Sequence, residues 1–455
     1  MHILLLSGGS GKRLWPLSND SRSKQFLKLL KDDQGNYESM VQRVYRQIQE
    51  TGIQAEISIL TNISQRDSIR CQLGKKVNII VEPERRDTFP AIALGCSYLY
   101  SKKHIDKNET VVVLPVDPYT NEEYFQTLKL MEYAIDAGKA NLALMGICPT
   151  YPSDKYGYII PQVKRRFENS YIYSVKEFKE KPDRKMAEQL LREGAVWNGG
   201  VFAFKIGYIA DILKDQTVEF DYDRLIENYG QLEKKSFDYA VVEKETSIAM
   251  LPYNGYWKDL GTWNTFTEEI RDETIGNVYM DEHSYNTTVI NECGKPVVLL
   301  GASNMVVAVS PDGILVSDKY QSGFLKAYVD QIENRPMFEE KIWGNYCIVD
   351  AQMIDGESVI TKSITLNAGK YLDYKVHKKA SSVWMITKGS GIVILNDKKI
   401  LVEVGKVIEI QEGDRYGIKA ITGMRMMEIQ RNAEMQDMDV EIIEYDWDSI
   451  TKEGE

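Results

Sequence analysis

Short apolar segments alternate with amphipathic ones over roughly the first 270 residues, and this alternation constrains the fold most strongly. The apolar segments are apolar at consecutive positions, which indicates strands buried on both faces. They are residues 2–7, 57–61, 77–82, 111–117 and 142–147. Residues 38–50 and 88–103, which lie between them, have helical patterns. Strand and helix in turn predict an α/β domain with a doubly wound, mostly parallel, Rossmann-like sheet that binds ligands at the carboxyl ends of its strands.

The chain is too long for one hydrophobic core, because its 455 residues call for two or three domains. Short strand-like segments separated by turn residues begin near Gly276, and no long helical pattern appears after it until residues 323–333. After Pro336 the strands and turns follow the rhythm of a β-sandwich or small barrel. We therefore predict an α/β domain over residues 1–272, a β-solenoid-like linking segment over 273–335 and a β-barrel over 336–455.

The charge and the cysteines narrow the class of partner and the compartment. A formal net charge of -11 argues against nucleic acid, although a local cationic site backed by a metal ion could still bind a triphosphate. The five cysteines form no CxxC pair, which indicates free thiols in a reducing compartment. No apolar run approaches the roughly 18 residues of a membrane span, and the first residues lack a signal-peptide pattern. We expect a cytoplasmic protein without a membrane partner.

A glycine-rich, cationic loop follows the first strand, where residues 6–16 read LSGGSGKRLWP. Gly8, Gly9 and Gly11 would let backbone amides approach an anion, while Lys12 and Arg13 supply positive charge. Leu6 and Arg13 stand where the Walker pattern needs Gly and Ser or Thr, and Leu14 stands where the dinucleotide-binding pattern needs its third glycine, so both patterns are excluded. The alternative interpretation is a tight turn with incidental basic residues.

The loop and the following SKQFLKL, residues 23–29, resemble the opening signature of the mannose-1-phosphate guanylyltransferase family of sugar nucleotidyltransferases. The resemblance implies transfer of a nucleotidyl group from a nucleoside triphosphate to a sugar 1-phosphate, with release of pyrophosphate. It continues in chain order through residues 82–94, 113–117, 146–159, 175–183, 196–204, 237–244 and 255–263.

Residue roles follow from matching these motifs position by position. The resemblance implies that Arg13 contacts the triphosphate and that Lys24 reaches the phosphates where attack occurs. It implies a nucleotide site made of Leu6, Gly8, Gly9, Gly11, Lys12, Arg13, Glu82, Arg86 and Pro90. Taken alone, a lysine at position 24 would be an ordinary exposed helical residue.

Two aspartates match the positions that hold a magnesium ion in the family. Asp117 ends an apolar strand, at the edge where α/β enzymes place catalytic groups, and Asp259 lies in the turn WKDLG. Two carboxylates completed by phosphate oxygens and waters suit Mg²⁺. Taken alone, each aspartate is more often a cap or a turn former. The expected catalytic set is Arg13, Lys24, Asp117 and Asp259, of which the aspartates are the metal ligands.

The sugar phosphate is expected to contact a second group of residues. The resemblance assigns the phosphate to Lys181 and sugar hydroxyls to Glu180, although this charged turn alone would indicate only a solvated loop. Asn198 offers a donor and an acceptor to a hydroxyl, and Gly157 permits close backbone approach. Asp259 belongs to this group as well.

The identity of the base can be argued from Glu82, at a position where relatives that use thymidine or uridine triphosphates carry glutamine. Guanine presents adjacent donors on N1 and N2, and one carboxylate accepts from both. Glu82 therefore predicts GTP as the donor, and the family resemblance implies GDP-mannose as the product. Departures from the family pattern at residues 86–90 and 115–118 leave open another hexose, a heptose or another triphosphate.

The C-terminal third resembles the cupin domain of the two-activity relatives, which isomerise fructose 6-phosphate with a bound metal. The four metal-ligand positions are Lys375, His377, Ser382 and Tyr416 in this chain, so one ligand of four remains. A lysine ammonium offers no lone pair to a metal. We therefore expect a metal-free cupin-like domain without isomerase activity.

We also expect the protein to form a homodimer. The alternative from another functional class is an inactive regulatory or scaffold protein. The intact site residues argue against this alternative.

Overall fold

The computed structural model describes residues 1–9, 12–167, 170–216, 218–332, 335–432, 440–444 and 447. The chain divides into two compact units. The first unit comprises Met1–Ser10 and Ser23–Arg271, and the second comprises Gly11–Arg22 and Asp272–Glu455. Among the described helices, none is long and apolar enough to cross a membrane.

The first unit alternates strands and helices along the chain, as the apolar pattern predicts. Its strands are His2–Leu6, Leu30–Lys31, Tyr37–Glu38, Glu56–Asn62, Asn78–Glu82, Thr110–Pro115, Pro118–Thr120, Leu142–Ile147, Tyr158–Phe167, Ser170–Lys179, Val196–Lys205, Ile248–Tyr253 and Trp257–Asp259. Its α-helices are Met40–Glu50, Arg66–Leu73, Thr88–Ser101, Glu122–Asp136, Arg184–Arg192, Ile206–Asp215, Tyr222–Glu227, Phe237–Ala240 and Trp263–Thr267. Its 3₁₀ turns are Lys24–Phe26, Ile63–Gln65, Tyr229–Gln231 and Val242–Lys244.

Local side-chain chemistry fixes where helices begin. Ser39 precedes the helix Met40–Glu50, and its hydroxyl accepts from the Gln42 amide while the Gln42 side chain accepts from the Ser39 amide. This capping box satisfies two amides that the helix itself cannot. Asp183 caps the helix Arg184–Arg192 in a similar way, because its carboxylate accepts from the Met186 amide at 2.8 Å.

The central sheet has nine strands and is mixed. The prediction of a mostly parallel sheet is therefore correct for one side of the sheet and wrong where antiparallel strands join it. Parallel pairing holds from Asn78–Glu82 through to Thr110–Pro115. Val196–Lys205 then runs antiparallel to both of its principal neighbours. Tyr158–Phe167 and Ser170–Lys179 also pair antiparallel, because strands so close in sequence leave no room for a crossover. The α/β class itself is confirmed.

The core of the first unit lies on both faces of this sheet. Along one strand, Val112 and Leu114 join one buried cluster, while Val111 and Val113 join the other. Alternate side chains of a strand point to opposite faces, so a strand covered on both faces must be apolar at every position. This explains the continuous apolar runs in the sequence. The polar residues that follow these apolar strands lie at the edge of the sheet.

The second unit consists almost entirely of β structure. Its strands are Thr274–Ile275, Val278–Met280, Thr288–Asn291, Val297–Leu299, Met305–Ser310, Gly313–Asp318, Phe338–Lys341, Gly344–Ile354, Glu357–Leu366, Tyr371–His377, Ser381–Lys388, Ser390–Leu395, Lys398–Glu403, Val407–Ile410, Arg415–Ala420, Met424–Arg431 and Val440–Glu444. Its described helical segments are Lys12–Leu14, Gln321–Phe324 and Lys326–Val329.

The strands of the second unit form two kinds of sheet. The strands from Thr274 to Ser310 pair parallel within two small sheets, to one of which Gly313–Asp318 adds an antiparallel edge. The strands from Phe338 onward form antiparallel sheets of six and five strands. Their inward side chains make a separate apolar core that includes Trp384 and Tyr416.

Replacement of Leu4 by alanine should destabilise the first unit, because Leu4 is fully buried within the apolar cluster on one face of the sheet. We expect the free energy of unfolding to fall by about 2–5 kcal/mol, measured by urea denaturation followed by circular dichroism. Ile63→Ala is the control, because Ile63 is 59% exposed, and it should change stability by less than about 0.5 kcal/mol. Equal effects of the two substitutions would contradict the assignment of this core.

Candidate functional site

The glycine loop begins at the carboxyl end of the first strand and is held by buried polar side chains. The Gly9 carbonyl accepts from the Ser23 hydroxyl at 2.8 Å and from the Gln65 side-chain amide at 2.9 Å. The Gln65 amide also donates to the Ser23 hydroxyl. Gln65 is fully buried, and its role was missed from the sequence because a lone glutamine carries no motif. Gly11 of the predicted site lies outside the described residues.

A cavity of about 300 Å³ opens beside this loop in the first unit. Many of the residues that the sequence assigns to the nucleotide line this cavity, and its volume is typical of a small-molecule site. It is lined by Leu6, Ser7, Gly8, Gly9, Lys24, Gln25, Leu60, Glu82, Arg85, Arg86, Asp87, Thr88, Ala91, Pro115, Val116 and Asp117.

Glu82 is a buried carboxyl at the end of the strand Asn78–Glu82. Its Oε2 accepts from the Tyr229 hydroxyl at 2.8 Å, and a Cβ on Gly8 would lie 3.1 Å from its Oε1. Burial raises the pKa of Glu82 to about 7, although the Tyr229 hydroxyl and Arg85 act in the opposite direction. The absence of a side chain at position 8 therefore leaves the glycine backbone close to an acidic acceptor.

Of two further predicted nucleotide residues, Arg86 lines the cavity and Pro90 does not. The guanidinium of Arg86 donates to Glu84 Oε1 at 2.9 Å and to the Leu232 carbonyl at 2.7 Å. Pro90 is buried in the first turn of the helix Thr88–Ser101, where a missing amide hydrogen costs no helical bond.

Lys24, Asp117 and Asp259 meet at the edge of the central sheet. Lys24 Nζ lies 2.9 Å from Asp117 Oδ2 and 3.7 Å from Asp259 Oδ1, and it donates to the Leu260 carbonyl at 3.4 Å. The backbone brings the two aspartates together, because Asp259 pairs with Pro118 in a two-stranded antiparallel ladder. Two carboxylates from distant parts of the sequence therefore surround a single ammonium group.

Four of the five residues predicted to bind the sugar phosphate also come together, while the fifth, Asp259, lies beside Lys24. Lys181 Nζ lies 2.6 Å from Glu180 Oε1, and a Cβ on Gly157 would lie 2.5 Å from Glu180 Oε2. The backbone amide of Asn198 donates to the Gly157 carbonyl at 2.8 Å. A side chain at position 157 would therefore displace the Glu180 carboxylate and the Phe178 ring, whose nearest atom would lie 2.7 Å from the added Cβ.

Asp238 belongs to the same cluster, and the sequence analysis assigned it no role. Its Oδ1 accepts from the Asn198 side-chain amide at 2.7 Å, which fixes the opposite end of that side chain as the acceptor. The acceptor oxygen of Asn198 receives the Gly200 amide at 3.2 Å. Burial and the neighbouring Glu180 raise the pKa of Asp238. The segment FDYAVVEK was the available signal, since it belongs to the motifs that carry the family resemblance.

Lys12 and Arg13 lie in the second unit, within the 3₁₀ turn Lys12–Leu14. Lys12 Nζ is 3.4 Å from Asp20 Oδ2, and Arg13 is exposed. The segment is anchored within its own unit, because the Ser310 hydroxyl donates to the Pro16 carbonyl at 2.7 Å. The sequence pattern alone gives no indication that this half of the loop packs with the C-terminal part of the chain.

The four positions of the expected degenerate metal site lie on three strands of the second unit, two of them adjacent in the five-stranded sheet and the third in the six-stranded sheet. Lys375 pairs with Tyr416 in the sheet, and its Nζ lies 5.7 Å from the centre of the Tyr416 ring. The His377 ring stacks on the same tyrosine at 5.9 Å, while Ser382 pairs with Gln430 on another strand. In the described part of the chain, no group of three or more His, Cys, Asp or Glu side chains is arranged to hold a metal ion.

Several known proteins resemble this chain over most of its length. The nucleotidyl transferase family model matches residues 2–275. Mannose-1-phosphate guanylyltransferase ManC of Salmonella typhimurium is 30% identical, over 91% of this chain and 90% of its own length. Mannose-1-phosphate guanylyltransferase of Escherichia coli K12 is 29% identical, over 89% of each chain.

A solved structure resembles the chain as well. A crystal structure described as mannose-1-phosphate geranyltransferase from Thermus thermophilus superimposes with a TM-score of 0.61 at 28% identity. The match covers 73% of this chain and 99% of that one. From the family model and these relatives, the chain belongs to the nucleotidyl transferase family and, within it, to the mannose-1-phosphate guanylyltransferases.

Proposed function

We propose that the protein forms GDP-mannose and pyrophosphate from GTP and mannose 1-phosphate. The observation that carries the proposal is the meeting of Asp117 and Asp259 around Lys24 Nζ, at 2.9 and 3.7 Å, at the edge of the sheet. The relatives named mannose-1-phosphate guanylyltransferase support guanine as the base and mannose as the sugar.

The reaction is an in-line substitution at phosphorus. An oxygen of the sugar phosphate attacks the α-phosphorus of GTP, the bond from that phosphorus to the bridging oxygen of the β-phosphate breaks, and pyrophosphate leaves. The protein must align two polyanions and stabilise the developing negative charge. In the proposed mechanism Lys24 contacts the phosphates at the point of attack. Arg13, Lys12 and the loop amides of Gly8, Gly9 and Gly11 contact the rest of the triphosphate.

Asp117 and Asp259 would hold a magnesium ion. The fit is chemical: both are hard oxygen donors, and they lie close enough to flank a single cation, as their contacts with Lys24 demonstrate. Two carboxylates do not fill the coordination sphere of Mg²⁺, so phosphate oxygens and waters would complete it. When bound, the ion would supply positive charge beside the reacting phosphates.

Glu82 would select guanine. A buried carboxylate with one oxygen already bonded to Tyr229 accepts well from adjacent donors, and guanine offers two such donors on N1 and N2. Arg86, Leu6 and Pro90 complete the proposed nucleotide site around it. Because the Gly8 backbone is close to Glu82, the base would lie near the start of the phosphate loop.

The sugar phosphate would bind the cluster of Gly157, Glu180, Lys181 and Asn198. Lys181 would contact the phosphate, and Glu180 and Asn198 would contact hydroxyl groups. The bond from Asn198 to Asp238 would make Asp238 a positioning residue, since it determines which end of the amide faces the ligand. Fixed polar groups of this kind give a sugar site its selectivity.

The domain boundaries and the finer fold of the C-terminal part also belong to this proposal. We assign the transferase domain to residues 1–272, a solenoid-like segment to 273–335 and a metal-free cupin-like barrel to 336–455. Parallel pairing of Thr274–Ile275 with Thr288–Asn291, and of the latter with Met305–Ser310, supports successive turns of a solenoid. The two antiparallel sheets that follow support a double-sheet cupin-like domain.

A cytoplasmic location and a homodimer remain predictions. All five cysteines are free, which suits a reducing compartment. The oligomeric state can be measured directly by light scattering coupled to size-exclusion chromatography.

Asp117→Asn and Asp259→Asn should each lower kcat/KM by about 10²-fold or more, because each removes a charged oxygen donor at the point of phosphoryl attack. The assay is pyrophosphate release with a panel of triphosphates and sugar 1-phosphates, in which GTP with mannose 1-phosphate should react fastest. Asp223→Asn is the control, since Asp223 is an exposed carboxylate paired with Lys102, and it should leave the rate unchanged. Absence of turnover with every pair of substrates would refute the enzymatic proposal.

Binding of GDP-mannose should weaken about tenfold as the pH falls from 8 to 6, measured by isothermal titration calorimetry. The carboxylate of Glu82 accepts both guanine donors, but protonation through a pKa of about 7 places an O–H against a guanine N–H. Affinity is therefore retained above this pKa and lost below it. Glu82→Gln should flatten the pH dependence and reduce the preference for GTP over other triphosphates. A wild-type slope that survives in Glu82→Gln would assign the titration to another group.

The protein should not convert fructose 6-phosphate to mannose 6-phosphate, whichever divalent metal is added. Lys375, Ser382 and Tyr416 supply no combination of ligands that suits a catalytic metal beside His377. A coupled assay with Zn²⁺, Mn²⁺ or Co²⁺ provides the measurement, with an active isomerase as the positive control. Turnover that depends on added metal would disprove this expectation.

A further inference from the structure

Residues 229–237 are bonded to the stretch of chain that begins at Glu82 and lines part of the nucleotide cavity. Both segments belong to the first unit. Besides the bond from Tyr229 to Glu82, further hydrogen bonds join them. These run from Arg86 to the Leu232 carbonyl at 2.7 Å, from the Phe89 amide to the Lys235 carbonyl at 3.2 Å and from the Phe237 amide to the Thr88 hydroxyl at 2.8 Å. Tyr229 is therefore held at a fixed place behind the cavity wall.

Tyr229 fixes one oxygen of the Glu82 carboxyl. Its ring is 1% exposed and belongs to the apolar cluster on one face of the sheet, so its hydroxyl has little freedom to move. The hydroxyl donates to Glu82 Oε2 at 2.8 Å. The other oxygen, Oε1, lies on the side of Gly8, which lines the cavity. Tyr229 itself does not line the cavity, so any effect on a ligand must pass through Glu82.

The bond from Tyr229 favours the ionised form of Glu82. Burial, and next the charge of Glu82, raise the pKa of Tyr229, so the phenol keeps its proton at neutral pH. Burial also raises the pKa of Glu82 to about 7, with Asp87 acting in the same direction and Tyr229 and Arg85 opposing it. A donor that bonds to a carboxylate stabilises the charged form. Without the phenol, more of Glu82 would be protonated at neutral pH.

The protonation of Glu82 decides which bases it can pair with. An ionised carboxyl offers two adjacent acceptors, whereas a neutral one offers a donor beside an acceptor. Guanine presents two adjacent donors, on N1 and N2, and suits the ionised form. Adenine at N1 and N6, cytosine at N3 and N4, and uracil at N3 and O4 each present one donor beside one acceptor. These three bases suit the neutral form.

We propose that Tyr229 is a specificity-determining residue, which selects guanine by holding Glu82 as an oriented carboxylate beside the base. It is a positioning residue, because it acts through Glu82 and lies outside the cavity wall. The inference rests on the proposed use of GTP at this site and adds a second residue to the recognition of the base. The bonds from residues 229–237 to residues 86–89 keep the tyrosine in register with its carboxylate.

The test is calorimetric titration of the full chain and of Tyr229→Phe with GDP and with ADP, at about pH 7.5 and about pH 9. GDP and ADP lack the terminal phosphate of a substrate triphosphate, so their binding is measured without turnover. Tyr208→Phe is the matched control, because the Tyr208 hydroxyl donates to Glu245 at 2.6 Å in the same unit and neither residue lines the cavity. Circular dichroism establishes that each variant is folded.

At about pH 7.5, Tyr229→Phe should bind GDP about tenfold more weakly than the wild type, because it loses a hydrogen bond that keeps Glu82 charged. Its preference for GDP over ADP should fall by at least the same factor, since neutral Glu82 suits adenine. At about pH 9 both proteins have an ionised Glu82, so the difference in GDP affinity should shrink to less than about threefold. Tyr208→Phe should match the wild type at each pH.

The double variant with Glu82→Gln shows whether Tyr229 acts through Glu82. In that background Tyr229→Phe should change GDP affinity by less than about threefold, whereas a general packing effect would be equally large in both backgrounds. An unchanged preference for GDP in Tyr229→Phe, or a loss of the same size at both pH values, would overturn the proposal. Turnover of GTP with a guanine preference that ignores Tyr229→Phe would retain the proposed reaction and refute this inference. Binding of GDP that depends on Tyr229 in a protein without turnover would do the reverse.

Discussion

The antiparallel ladder between Pro118–Thr120 and Trp257–Asp259 is the constraint on which the candidate site depends. A central strand ends at Pro115, and its polar successor Asp117 lies at the edge of the sheet. The ladder brings a much later segment to the same edge, so that Asp259 approaches the same lysine. Backbone hydrogen bonds thus fix the separation of two carboxylates that would otherwise repel each other. Such preorganisation means that no reorganisation is needed when charge develops during the reaction.

Buried polar groups around this edge have a common physical character. Glu82 and Asp238 are carboxyls whose pKa burial raises, and each bonds to one protein partner, Tyr229 or Asn198. Desolvation of such groups costs free energy in the free protein. A ligand that donates hydrogen bonds to them recovers part of this cost. In the proposed function, the same arrangement would give both affinity and selectivity for donor-rich ligands such as guanine or a sugar.

Much of the first unit could be predicted from periodicity, because strands buried on both faces must be continuously apolar. The helices at Met40–Glu50 and Thr88–Ser101 were predicted from their pattern, and the structure confirms both. The antiparallel course of Val196–Lys205 could not be predicted, since strand direction leaves no trace in the pattern of a fully buried strand.

The same limit applies to the site. Asp117 and Asp259 were singled out from motifs, and the structure brings them together around Lys24. Gln65 and Asp238 escaped notice because each acts through a neighbour, as a single side chain whose role depends on tertiary packing. Residue type alone carries no information about such indirect contacts.

The course of the chain between Gly9 and Ser23 has a consequence for how such an enzyme can change over time. Here the backbone leaves one compact unit, packs Leu14 and Pro16 within the other, and then returns. Trp15 fills the space beside Gly313, where even a methyl group would lie 2.5 Å from its ring, and Arg22 bonds to Glu292. Half of the glycine loop therefore relies on residues encoded far downstream. The β-rich portion cannot be shed or exchanged like an independent module, and its sequence must evolve in step with the loop that it supports.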